Sequence, residues 1–269
     1  MPRRWLLHTV LIAASLVMVV PFVWQILTSL KTLSDATSVP PSLLPQGQWA
    51  NYGRVFELLP FGTQFLNTAL MALARTLGQV LFCSMAAYAF ARLRFPFKKA
   101  LFGVILSVLM VPPQLFIIPQ YQIMSDLGWL NSLQALIVPG LFSAFGVFLL
   151  RQFFLSLPVE LEEAARLDGA GPLRIYWSIV LPLARPGLVA LAVLTLLWSW
   201  NDLFWPLVVN NDPGKMTLSA GLASLQGQFQ TDYPVLMAGS LLASLPVIAV
   251  FVFLQRQFIQ GIAQTGLKG

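Results

Sequence analysis

The stretch EEAARLDGAGPLRIYWSIVLPLARP, residues 162–186, decides how the rest of the chain is read. It is charged and punctuated by glycine and proline, inside a chain that is 57% hydrophobic and only 10% charged. Glu160, Glu162 and Glu163 crowd into one helical turn, and Asp168 follows closely. Such a cluster does not belong in hydrocarbon, where each ionised side chain costs about 2.5–3.5 kcal/mol on insertion scales. Local rules build it into a bent pair of short helices. Pro158 suits a first helical turn, where its missing N–H costs nothing. The three glutamates then sit at the positive end of the helix dipole. Gly169 is placed to stop that helix. Pro172 opens a second short helix, expected to end before Pro182. Small side chains at Ala164 and Ala165 leave room for another surface to approach closely.

On both sides of this stretch the chain turns apolar. A soluble domain carries about a quarter charged residues, so the composition points to a membrane protein. A membrane helix needs roughly 20 mostly apolar residues. That ruler predicts an all-α, polytopic fold with six transmembrane helices, at residues 5–27, 68–90, 100–121, 133–154, 187–209 and 237–255. The third is interrupted at Pro112, Pro113 and Pro119, so its outer half is expected to be kinked or re-entrant. The first begins after Arg3 and Arg4, but its apolar run exceeds the roughly 7–15 residues of a signal-peptide core. No small-residue cleavage site closes it, and it reads as a retained anchor.

Basic residues set the orientation. Arg3, Arg4, Arg92, Arg94, Lys98, Lys99, Arg151, Arg166, Arg174, Arg185, Arg256 and Lys268 fall in one set of connecting segments, against Lys31, Arg54 and Lys215 in the other. Arg75 lies inside the second span. Both termini are therefore expected in the cytoplasm, with the loop at 158–182 on the same side.

Several chemistries are excluded or disfavoured. The net charge of +6 is scattered rather than gathered on one face, which argues against nucleic acid. Cys83 is the single cysteine and His8 the single histidine, so no intramolecular disulfide or cysteine-based metal site is possible. Gly214-Lys215 is followed by Met216, and Val209 stands where a P-loop would begin with glycine. No paired acids or serine-based dyad within the spans suggest an intramembrane enzyme, and no catalytic or metal-binding residues are expected. A secondary transporter of a small polar solute is the alternative from another class. It would have only Arg75 and Asp202 as coupling groups, and it gives no reason for the charged loop.

The loop's spacing resembles a known family. Glu163-Ala164-Ala165, three residues, Gly169, nine residues, then Ile179-Val180-Leu181-Pro182 resembles the EAA motif of ABC importer permeases. AYAFARLRFPFK at 87–98, FLNTAL at 65–70, SWND at 199–202 and GIAQTGLKG at 261–269 look like the carbohydrate-uptake branch, so the resemblance covers nearly all of residues 1–269. Within it, the chain is most similar to the smaller permease of maltose- and glycerol-3-phosphate-type systems. The resemblance implies a multi-pass subunit in the inner membrane of a bacterium or archaeon. It also implies a second permease subunit forming a heterodimer, two ATPase subunits and an extracytoplasmic solute-binding protein. No cofactor is implied in this chain, because ATP and magnesium are bound by the partner ATPases. Carried over, Glu163 is the acidic contact to an ATPase arginine and Ala164 and Ala165 the close-packed face. Gly169 makes the turn, and Leu181 and Pro182 close the motif.

Trp198, Trp200, Asn201 and Asp202 gather in the fifth predicted span. Aromatic faces with amide and carboxylate groups suit a sugar, and Asp202 is expected to face the bundle interior or its outer mouth. Interhelical structure is the alternative role. Trp205 reads as an interfacial anchor, Arg75 as a path residue or a side chain snorkelling to the surface, and Asn67 as structural. The long segments at 28–65 and 210–234 read as extracytoplasmic connections, and the second resembles the loop that probes a binding protein's cleft.

Overall fold

The computed structural model describes the backbone of residues 2–227 and 231–266, with side chains from 5 to 227 and from 231 to 253. The side chains of Arg3, Arg4 and Arg256, the whole of Lys268, residues 228–230 of the second long connection, and the side chains of 261–269 lie outside the described residues. Among the described residues there is no strand. Four helical stretches are long and apolar enough to cross a membrane: Trp5–Ser29, Phe61–Arg92, Leu133–Leu155 and Tyr233–Phe253. Two bent pairs raise the number to six if each is one span: Lys98–Val108 with Pro113–Asp126, bent by 97°, and Pro172–Leu183 with Arg185–Trp200, bent by 78°.

In chain order, α1 (Pro2–Ser29) lies at the periphery against the last helix. Short helices α2 (Leu33–Ala36) and α3 (Ala50–Leu58) lead into α4 (Phe61–Arg92). With 32 residues, α4 runs roughly 48 Å, longer than the hydrocarbon core is thick. It is the axis of the molecule, packed on α8 (Ala144–Leu155) and α12 (Arg185–Trp200). Between them come α5 (Lys98–Val108), α6 (Ile117–Asp126) and α7 (Leu133–Ile137). Then follow α9 (Glu160–Leu167), α10 (Pro172–Ile175) and α11 (Leu181–Leu183). After α12 come α13 (Phe204–Val209), α14 (Leu218–Ser224) and α15 (Tyr233–Gly266).

Three features differ from the sequence expectation, each for a local reason. The helix opened by Pro172 does not end before Pro182 but continues to Leu183. Pro182 has no N–H for the carbonyl of Ser178, and the preceding turn, Tyr176–Val180, widens to a π-helix that accepts the proline. The expected span at 187–209 stops at Trp200, where the backbone N–H and side-chain amide of Asn201 both bond to the Leu197 carbonyl and cap the helix. The expected span at 133–154 is present but broken at Pro139, with a 3-10 turn at Val138–Gly140 before α8 restarts behind a Ser143 cap.

The largest buried cluster joins α4, α8 and α12 to the segment from 172 to 183 through Cys83, Tyr88, Leu150, Phe154, Tyr176 and Leu191. A second, at the opposite end, gathers Met71, Leu136, Trp205 and Val209. Where α12 starts, Gly187 lets the Phe153 ring of α8 lie flat on its backbone, since a Cβ there would come within 2.7 Å of the ring. Interiors this dense do not absorb an added methyl cheaply, and overpacking costs about 1–3 kcal/mol. Gly187→Ala is therefore expected to lower the thermal unfolding temperature of the purified protein, and Phe153→Leu in the same chain to restore part of the loss.

Candidate functional site

The segment from 156 to 184 is built as expected at its first turn and then more tightly. Helix α9 ends in a complete Schellman arrangement. Gly169 takes φ +80°, its N–H bonds to the Arg166 carbonyl, and the Ala170 N–H reaches back to Ala165 at 2.9 Å. No atom stands where a Cβ on Gly169 would go, so only the backbone conformation demands glycine there.

The three glutamates are not equivalent. Glu162 is 2% exposed, with Arg92 Nε at the end of α4 placed 2.7 Å from its Oε1 and Arg166 3.5 Å from its Oε2. Arg92 also donates to the Leu157 carbonyl at 2.7 Å, so one guanidinium holds α4, the turn before α9 and α9 itself. Glu160 and Glu163 face outward. Positions 160, 163, 164 and 167 share one helical face, and Glu160, Glu163, Ala164 and Leu167 are all exposed on it, Leu167 at 91%. On the other face Ala165 packs into the main cluster, as do Tyr176 and Leu181 further along. Tyr176 is also held by its hydroxyl, 2.7 Å from Ser84 Oγ of α4. Pro182 stays exposed. Basic side chains used to read orientation finish neighbouring backbone ends: Arg151 donates to the Phe90 carbonyl and Lys98 to that of Leu93.

At the far end of the bundle, α4 carries a buried polar face. Asn67 binds the carbonyls of Gly214 and Met216 and so pins the loop before α14, the structural role expected of it. Arg75 does not snorkel. It is 7% exposed, with Nε on the Leu136 carbonyl at 2.7 Å and Nη1 on Asp202 Oδ2 at 2.8 Å. Asp202 thus faces the bundle, as expected. Gln79 accepts from Ser143 and Thr195 hydroxyls and donates to the Gly140 carbonyl, joining α4, α12 and the broken span. Trp205 is not an interfacial anchor. It is buried, and its indole N–H bonds to the Ala135 carbonyl at 2.8 Å. Trp200 bonds to the Ala243 carbonyl of α15. Trp198 and Asn201 stay exposed, Trp198 edge-on to Phe145.

Sequence reading did not find the roles of Gln79, Arg92 or Glu162, nor that of Gln64, which donates to the Pro213 carbonyl in the loop before α14. A signal for the two glutamines was there: Gln64, Thr68, Arg75 and Gln79 recur at steps of four, seven and four, which places them on one face of an otherwise apolar helix. The Glu162–Arg92 pair joins residues far apart in sequence, and nothing local announces it.

The fold is a bent bundle of membrane-length helices with an acidic, Schellman-stopped helix at one end. Residues 79–264 match the family described as binding-protein-dependent transport system inner membrane component, and the chain belongs to it. It is 34% identical to the sn-glycerol-3-phosphate transport system permease protein UgpE of Yersinia enterocolitica, covering 96% of this chain and 95% of that one. The UgpE of Agrobacterium fabrum is also 34% identical, with 97% and 96% covered. Among solved structures, a bacterial ABC transporter involved in import of the acidic polysaccharide alginate aligns with a TM-score of 0.82 at 25% identity, over 93% of this chain and 95% of that chain. The MetNI methionine transporter shares the fold, with a TM-score of 0.56 at 19% identity over 78% and 97% of the two chains. The chain is a multi-pass inner-membrane permease of an ABC importer, and ATPase and binding-protein partners follow from that. In such systems ATP and magnesium belong to the partner ATPases.

Removing one side of a buried ion pair strands the other charge, at a cost of about 3–5 kcal/mol. Glu162→Ala is expected to lower the thermal unfolding temperature of the detergent-purified permease, free of its ATPases, sharply. The exposed neighbour Glu163→Ala is expected to leave it nearly unchanged. Equal losses in the two variants would contradict the inequivalence of these glutamates.

Proposed function

We propose that residues 158–182 form the coupling loop through which partner ATPases drive this permease, which carries a carbohydrate-derived solute. The observation that carries the reading is the outer face of α9. Glu163 and Ala164 are exposed beside Leu167, an apolar side chain left 91% in water. A carboxylate, a small residue and an exposed leucine on one rigid helix suit a cleft that offers a basic side chain and an apolar floor. Gly169 supplies the turn, while Leu181 and Pro182 end the rod that ties the loop to α12. The solute class rests on the relatives, which are named for sn-glycerol-3-phosphate, and on the structural neighbour that imports alginate.

In this reading each bent pair is one span, giving six, with both termini in the cytoplasm. A second, different permease completes the pathway. The binding protein delivers solute at the extracytoplasmic face, and ATP binding draws the ATPases together. The docked α9 moves with them, and the rod from 172 to 183 passes that motion to α12. Trp198, Trp200, Asn201 and Asp202 line the solute path at the end of α12. Trp198 and Asn201 offer the exposed ring face and amide, while Trp200 and Asp202 support them from behind.

Two experiments test this. Truncating one side of a buried interfacial charge pair costs about 2–5 kcal/mol. Glu163→Ala is therefore expected to weaken ATPase co-purification or to separate hydrolysis from solute uptake in the reconstituted complex. Gly169→Val is expected to do the same through its positive φ, whereas Gly169→Asn, which tolerates that conformation, retains coupling. Normal coupled uptake in both Glu163→Ala and Gly169→Val would reduce the segment to a surface loop. For topology, single cysteines at Gln46, Asn211 and Gly171 in a Cys83→Ser background are to be labelled with a membrane-impermeant reagent. Gln46→Cys and Asn211→Cys are expected to react from outside and Gly171→Cys only from the cytoplasm. Labelling of Gly171→Cys in intact cells would overturn the orientation.

A further inference from the structure

Prolines break two helical ladders at the far end of the bundle. Pro139 has no N–H for the carbonyl of Ala135, and Pro246 has none for that of Leu242. Inside a membrane, carbonyls at such breaks must find donors in neighbouring helices. One short piece of chain supplies the donor to the first of these carbonyls and to a carbonyl beside the second. Trp205 Nε1 bonds to Ala135 O at 2.8 Å, and Trp200 Nε1 bonds to Ala243 O, next to Leu242, at 3.1 Å. Between the two tryptophans, Asp202 accepts from Arg75, whose Nε holds the carbonyl of Leu136 at 2.7 Å. Glycine at 140 leaves the space that Arg75 crosses, since a Cβ there would stand 2.5 Å from its Nε. Residues 200–205 thus grip α4, the broken span and α15 at once.

This piece of chain is also where α12 loses its helix. Residues 201–203 are irregular between α12 and α13. A tilt imposed at the other end of α12, where the rod from 172 to 183 meets it, would be absorbed in such a joint unless the joint were pinned on both sides. Trp200 and Asp202 pin one side and Trp205 the other.

We propose that Trp200, Asp202 and Trp205 are positioning residues of the transport cycle, a clasp that makes the far end of α12 move as one body with α4, α7 and α15. The proposal rests on the coupling reading of residues 158–182. Their polar groups are committed to backbone carbonyls and to a buried cation, so they act on solute through the geometry of the path. Direct contact falls to the Trp198 ring and to Asn201 Oδ1, the Asn201 Nδ2 being held by the Leu197 carbonyl.

The test is the number of radiolabelled sn-glycerol-3-phosphate molecules, the solute for which the relatives are named, imported per ATP hydrolysed by the intact complex in proteoliposomes, with its binding protein present. The key variant is the double Arg75→Gln/Asp202→Asn. It removes both charges together, so no ion is left stranded, and the complex is expected to assemble. Its import per ATP is expected to fall about tenfold, within the usual range of coupling between two distant sites. Trp205→Phe keeps an aromatic side chain but removes the indole N–H that donates to Ala135, together with the volume of the pyrrole ring, and it is expected to lower the same ratio while the complex still hydrolyses ATP. A double variant that assembles with the parent ratio would overturn the clasp and leave the pair as structural cement. A parent ratio in Trp205→Phe would overturn it equally, whether or not the double variant assembles. Glu163→Ala, run alongside, separates the two ideas. Parent behaviour there sinks the coupling reading, whereas loss there with parent ratios in the clasp variants sinks only the clasp.

Discussion

A backbone carbonyl that loses its helical donor inside a bilayer has no water to turn to, and this constraint organises much of the molecule. Prolines bend or break several of its helices. Each bend exposes carbonyls that another element must satisfy. Trp205 does this for Ala135, and Arg75, Gln79 and Trp200 bond to carbonyls beside the breaks at Pro139 and Pro246. Each aims a donor at backbone, Arg75 a second one at Asp202, so they fix where neighbouring helices cross. The buried polar face of α4 follows from the same need, and it explains why the central helix is not uniformly apolar.

The two ends of α4 solve different problems with the same chemistry. At one end Arg75 pairs with Asp202 and locks α12 and the broken span to the axis. At the other, Arg92 pairs with Glu162 and locks α9 to it. Under the coupling proposal, motion would pass between these locks through α9, the helical segment with its π-turn at Tyr176–Val180, the bend at Ala184, then α12. The π-turn accommodates Pro182, and the helical segment continues past it to Leu183. An exposed helix face can transmit force only if its other face is held, and Glu162 with Ala165 and Tyr176 provides that hold.

Much of this could be read from the residues themselves. The stop at Gly169 and the acidic first turn are local facts that appear where the sequence places them, whereas the helix from Pro172 runs past Pro182 and the apolar runs at 133–154 and 187–209 break at Pro139 and Trp200. Asp202 could be assigned inward because an ionised group in a span has few alternatives. The roles of Trp200 and Trp205 were less legible. Tryptophan serves a membrane interface, a sugar face or a buried carbonyl equally well, and only the position of Ala135 and Ala243 decides among them. The division of labour between Glu162 and Glu163 was not legible either. Adjacent glutamates differ by about 100° around the helix, and which of them meets Arg92 depends on how α9 packs, a long-range fact.

The central claim is that α9 is a docking element held rigidly to α4 by Glu162 and offered outward through Glu163. Cryo-electron microscopy of the assembled transporter in lipid nanodiscs tests it most directly, with and without nucleotide. The account predicts α9 seated in an ATPase cleft, with a basic side chain of the ATPase on Glu163. It also predicts that Glu162 stays on Arg92 in both states while the cleft moves. A structure in which α9 faces solvent, or in which Glu162 rather than Glu163 meets the ATPase, would contradict it.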